Sequence, residues 1–171
     1  MAEPAYAVQA AAFDPDRRYR YSLIRAWDLS LPRVAFIMLN PSTADETALD
    51  PTLRRCLNFA RWWDFGSFEI GNLFALRSTD PSALRDDPDP EGPENDDALR
   101  TIAGRAALIV CGWGTNGPYR NRADRVCRLL AGHTLHALRL TKAGDPSHPL
   151  YLSGSLRPFV WRASQGDRRG P

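Results

Sequence analysis

With 171 residues, 43% of them apolar and 25% charged, the chain is long enough to bury one core and has the composition of an ordinary globular domain. No apolar run approaches the ~20 residues of a membrane helix, and Met1 to Ala12 lacks the basic-then-apolar pattern of a signal peptide. The net charge of +2 hides an asymmetry, a basic C-terminal end against a slightly acidic remainder; a cytoplasmic monomer with no membrane partner is the expectation.

Tyr19 to Trp27, rich in aromatic and β-branched residues with a rough period of two, reads as an antiparallel edge strand. Val34 to Leu39 is apolar throughout, as in a central strand covered on both faces, and stops at Asn40-Pro41-Ser42-Thr43. Asp50 then offers a helix cap and Pro51 a first helical position, and Leu53, Cys56, Leu57 and Ala60 recur at helical spacing up to Trp63. A second strand runs from Phe68 to Leu73. The acidic, proline-rich stretch Ser78 to Asn95 reads as a long functional or disordered loop. Asn95 to Ala103 forms a short helix and Ala106 to Cys111 a third buried strand, ending at Gly112-Trp113-Gly114. Arg122 to Ala131 is helical, with Gly132 placed to stop it, and Thr134 to Leu140 is a fourth strand. Residues 1–152 make one α/β domain. Residues 153–171, with four arginines against one aspartate, form a basic tail that is either disordered and solvated or reaches for phosphate.

This alternation predicts a parallel sheet with helices on both faces, in which ligands bind beyond the carboxyl ends of the strands. Asn40, Asn72, Gly112 to Gly114 and His148 each follow one strand, so four distant segments converge on one side. The turn at Asn40, Pro41 and Ser42 supplies an amide, hydroxyls and backbone N–H groups to cradle a polar ligand, whereas Asp50 is read as a helix cap. Asn72 reads equally as a donor-and-acceptor edge for an amide-like ligand or as a left-handed turn residue. His148, in a rigid Ser-His-Pro loop, is placed to donate to a developing oxyanion. Gly112, Trp113 and Gly114 allow close backbone approach beside an indole. Phe59 stacks either on a base or in the core. Arg120, Arg122, Arg125 and Arg128 are read along one helix, the last three as a stripe facing phosphates or as an ion-paired surface; Lys142 lies in the loop before His148 and is grouped with Arg122 and Arg125 as a phosphate contact.

Cys56, Cys111 and Cys127 are scattered, with no CxxC pair, and His133 and His136 span a helix end and a strand. Neither a metal nor a cofactor is expected.

The segments FIMLNPSTADE, DPTLRRCLNFA, IGNLFALRSTDP, GPEND and TKAGDPSHPLY, in this order, closely resemble domain-of-unknown-function family 1643 over roughly residues 19 to 152. More distantly, the same landmarks resemble the uracil-DNA glycosylase superfamily. That resemblance implies a three-layer αβα fold with a four-stranded parallel sheet in the order 2-1-3-4, to which the N-terminal strand would add an antiparallel edge. Asn40-Pro41 is similar to the first motif of the mismatch-specific branch, Asn72 stands where an Asn reads the base, and Trp113-Gly114 closes the third strand. His148-Pro149 opens the last motif, whose histidine stabilises charge on the leaving base. The chain departs from the pattern in Ser42-Thr43-Ala44-Asp45 after the first motif and in Leu150-Tyr151 after the last.

The resemblance implies hydrolysis of an N-glycosidic bond to a uracil-like base, in DNA or a nucleotide, with Asn72 on the base edge and Phe59 against its face. Asn40 would position water but cannot take its proton, which implies slow turnover unless a carboxylate, Asp45 or Glu46, reaches the site. Two alternatives stand beside this reading: a non-catalytic nucleotide- or nucleic-acid-binding module, and a metal-dependent hydrolase using Asp45 or Glu46.

Overall fold

The computed structural model describes residues 1–42 and 47–166. Seven strands form a single sheet: β1 (Val8–Phe13), β2 (Arg20–Ala26), β3 (Arg33–Met38), β4 (Ser67–Asn72), β5 (Leu108–Cys111), β6 (Leu135–Ala137) and β7 (Phe159–Arg162). Their spatial order is β1-β2-β4-β3-β5-β6-β7. The pairings β1–β2, β2–β4 and β6–β7 are antiparallel, and β4–β3, β3–β5 and β5–β6 are parallel.

This corrects the expectation of a four-stranded parallel sheet with one added edge strand. The sheet is seven-stranded and mixed, and the chain is α/β only in the general sense. The physical reason lies in its flanks. β2 is not an edge, because the alanine-rich β1 pairs with it from Val8↔Ala26 onward. At the other side β7, inside the segment read as a tail, pairs with β6.

The interior follows the two-residue period of the strands. Val34, Phe36 and Met38 of β3 meet Leu53, Cys56, Leu57 and Phe59 of α1 (Pro51–Trp62) on one face. Ala35 and Ile37 meet Leu99 and Ile102 of α3 (Asn95–Arg105) and, with Ile109 and Cys111, Val126 of α4 (Arg122–Leu129) on the other. Asp50 caps α1 by accepting from Leu53 N–H at 2.7 Å, and Pro51 begins the helix. α4 ends at Leu129 with Leu130 as its cap, before Gly132, which is not left-handed.

The long acidic segment holds a one-turn helix, α2 (Ala83–Asp86), and is tied down along its length. Tyr19 donates to Asp89 O (2.7 Å), Arg120 to Asp87 O and Pro88 O, and Arg125 forms a two-pronged pair with Glu91. No helix among the described residues is long and apolar enough to cross a membrane.

Candidate functional site at the strand ends

The ends of β3, β4 and β5 are held side by side after the strands proper have stopped. Leu73 N–H donates to Met38 O, Phe74 N–H to Leu39 O and Gly112 N–H to Ile37 O, at 2.8–2.9 Å. The turn after β4 is braced from below by two side chains. Asn95 Nδ2 donates to Asn72 O and Leu73 O (2.9 and 3.1 Å), and Arg122 Nε donates to Leu73 O at 2.7 Å. With its main chain fixed in this way, Asn72 ends β4 in the strand conformation and not in a left-handed turn.

A small cavity of about 70 Å³ opens at this end of the sheet. Asn40, Ser42, Asn72 and His148, four of the residues singled out in the sequence, line it together with Asp50 and Arg20. Met38, Leu53 and Ile70 supply apolar wall.

Each polar group presents a defined end. Asn40 Nδ2 donates to Pro41 O (3.2 Å) and Ser78 O (2.9 Å), which leaves the side-chain oxygen as its acceptor end. Asn72 is 2% exposed, and its Nδ2 meets no acceptor among the described residues. A buried amide left unpaired costs about 1–3 kcal/mol, so this donor is a group a ligand would satisfy. His148 Nδ1 accepts from Leu150 N–H at 3.2 Å, which puts the ring proton on Nε2 and makes that nitrogen the donor. Burial lowers the His148 pKa from the usual 6.5, against the smaller opposing effect of the Asp50 carboxylate. The ring is therefore neutral at neutral pH, a donor that can strengthen its bond as negative charge grows opposite it.

The His148 turn is seated by its neighbours. A Cβ on Gly112 would lie 2.9 Å from Pro149 Cδ, so only glycine lets this turn approach the end of β5. Gly114, at φ +73°, donates its N–H to Pro146 O (2.8 Å). Arg55 on α1 donates to Leu152 O just beyond the turn. The glycines thus shape the loop that carries His148, and neither Gly112 nor Gly114 lines the cavity.

Other residues singled out in the sequence lie elsewhere. Phe59 is fully buried, with its face against Trp63 at 5.0 Å. Trp113 is buried and meets Trp161 edge-on at 5.6 Å. Pro41 is buried, its carbonyl accepting from Ser78 N–H. Arg122, 1% exposed, pairs with Asp96 at 2.8 Å, and Arg125 pairs with Glu91, so both are engaged by carboxylates within the protein. Lys142 is exposed on the loop before His148. Asp45, together with Glu46, lies outside the described residues.

Sequence reasoning missed Arg20, a 3%-exposed arginine that opens β2 and lines the cavity, and it read Asp50 as a cap alone. A polar residue at the start of a strand carries no local signal of inward orientation, whereas the Asp-Pro-Thr after a polar turn marks where a helix end meets the site. A larger hollow of about 380 Å³ between α4 and β7 is lined by Arg128, His133 and Arg162 among others. Most of its polar side chains are exposed, and none of its lining residues holds a buried polar atom without a partner, so it has no counterpart to the Asn72 donor.

The fold and site together define an α/β protein with a polar, donor-lined cavity at the ends of adjacent parallel strands. The chain belongs to the family described as protein of unknown function (DUF1643), whose model matches residues 20–150. No curated protein and no solved structure matches it.

Proposed function

We propose that the cavity receives the edge of a uracil-like base and that the chain hydrolyses the N-glycosidic bond holding that base, in DNA or in a nucleotide. The observation that carries this reading is the buried, unpartnered amide of Asn72 in the same small cavity as a histidine whose tautomer is fixed as an Nε2–H donor. An amide with one free donor and an oxygen beside it matches the carbonyl and ring N–H of a pyrimidine edge. A neutral imidazole N–H matches the negative charge that collects on a base as its glycosidic bond breaks, and one such donor contributes about 2.7–4 kcal/mol to a transition state.

Size supports recognition of an edge and not of a whole nucleotide. A cavity of about 150 Å³ accommodates one benzene ring, and this one measures about 70 Å³. The ring enters by its hydrogen-bonding side, and the sugar stays at the mouth. Because Arg122 and Arg125 are held by Asp96 and Glu91, phosphate contacts fall to other cations, such as the exposed Lys142. Buried, unpaired thiols at Cys56, Cys111 and Cys127 agree with a reducing, cytoplasmic setting, and the same reading takes the chain to act as a monomer.

A second reading, a nucleotide- or nucleic-acid-binding module without catalysis, is favoured by Asn40, whose amide cannot take a proton from water. One experiment separates the two: release of uracil from single-stranded and mismatched DNA and from deoxyuridine nucleotides, by the native protein, His148→Ala and Asn40→Ala. Hydrolysis by the native chain, lowered about 10²–10³-fold by His148→Ala, is the expected result. Binding of uracil without any release, at high protein concentration and long times, would transfer the assignment to the binding module.

A further inference from the structure

Hydrolysis needs a group that takes a proton from water, and Asn40 offers an amide at the place nearest the strand end. Among the described residues that line the cavity, Asp50 is the one carboxylate. We infer that Asp50, besides capping α1, is the catalytic base of the site: it holds the attacking water and accepts its proton. This assignment rests on the glycosidic-bond reading above.

Two hydrogen bonds fix the carboxylate. Oδ1 accepts from Leu53 N–H at 2.7 Å and Oδ2 from Ser42 Oγ–H at 2.8 Å. Each carboxylate oxygen has a second lone pair, so both bonds leave acceptor capacity for a water in the cavity. His148 lines the same cavity and feels the Asp50 charge, so the two groups face a common space. Their roles are complementary, one accepting and one donating.

The bookkeeping of the step closes with water as the only co-reactant. The water oxygen bonds to C1′ of the sugar while the C1′–N bond breaks, and its electron pair remains on the base. His148 Nε2–H donates to that base anion. The water proton passes to Asp50 and returns to the base nitrogen as products leave. Asp50 also places a negative charge beside the positive charge that develops on the sugar, which an amide at Asn40 cannot do.

The capping role makes the test clean. Asn and Ser cap helices about as well as Asp, so Asp50→Asn and Asp50→Ser keep α1 while removing the base. Both variants are expected to keep the native melting temperature and the native affinity for free uracil, and to lose about 10²–10⁴-fold in the rate of base release. The His148 ring, followed by NMR, should titrate at lower pH in both, because the opposing charge is gone. Native rates of release in Asp50→Asn, or an unmoved His148 titration, would overturn the assignment of Asp50 alone. A native protein that releases no base would overturn the glycosidic-bond reading, and the role of Asp50 with it.

Discussion

Two regions of this molecule look alike in the sequence and opposite in the structure. The strand-end cavity and the arginine stripe of α4 both present polar residues in groups, and both read as ligand sites. In the cavity, Asn72 is buried with a donor that meets no protein acceptor, and His148 has one ring nitrogen engaged and the other left to donate. On α4, Arg122 is equally buried, and although its Nη2 meets no acceptor among the described residues, its Nε and Nη1 reach Leu73 O, Asp96 and Glu91, while Arg125 closes on Glu91. The first region has desolvated polar groups and left them open, at a cost to stability. The second uses them to hold the acidic loop and the β4 turn in place. A site differs from a brace in what its side chains already hold: Arg122 grips three partners within the protein, whereas the Asn72 donor at the cavity meets none among the described residues.

The contrast is broken most severely at Arg122. Replacing it by Met should destabilise the protein by about 1–3 kcal/mol, the usual cost of removing a buried side chain that donates hydrogen bonds. Leu73 O loses its Arg122 donor, and Glu91 keeps only Arg125. Urea denaturation is the measurement, and a loss below about 1 kcal/mol would mean that the brace carries little of the fold. Since Asp96 is half exposed, the loss should come chiefly from the buried carbonyl and the vacated volume, and so should depend little on salt.

At Asn72 the expected sign reverses. Asn72→Leu removes a buried donor that has no partner and puts a side chain of similar size in its place, so stability should stay level or rise by about 1 kcal/mol. Affinity for free uracil should fall at least about tenfold, because one bidentate contact is worth about 1–3 kcal/mol. Thermal melting and uracil titration on the same sample decide it. A variant that melts well below the native protein would place Asn72 with the braces.

How much of this could be read beforehand depends on whether a residue's partner is near in sequence. Val34 to Leu39 is recognisable as a central strand because every position is apolar, and Asn40 stands out as the first polar residue after it. Asn72 and His148 are legible for the same reason, each a polar residue at or beyond the end of an apolar segment, and His148 is also next to a proline that fixes the backbone. The sheet is not legible. Val8–Phe13 alternates weakly and exists as a strand through its pairing with β2, and Phe159–Arg162 sits inside a basic segment that resembles a tail. Without those flanks a parallel four-stranded sheet is the natural reading, and it is wrong. Arg122 is unreadable for a related reason. Helical spacing gives its direction around α4, but Glu91 and Asp96 lie some thirty positions earlier and reach it only through the fold.

The smallest effect concerns pH and sharpens the same contrast from the cavity side. Burial lowers the His148 pKa from its ordinary 6.5, with the Asp50 charge opposing, so the folded state holds the ring neutral where the unfolded chain would protonate it. Between the lowered folded value and 6.5 the unfolded state binds more protons, and stability therefore falls as pH drops through 6.5 and levels off below the folded value. His148→Gln removes that linkage while keeping a polar side chain. Melting temperatures compared from about pH 7.5 to about pH 5 should drop more steeply for the native protein than for the variant, with the two curves parallel above pH 7. Since carboxylates titrate equally in both, the difference isolates one ring. If native and variant fall together, His148 is solvated in the folded state, and its Nε2–H is then as well satisfied by water as the exposed groups around the larger hollow.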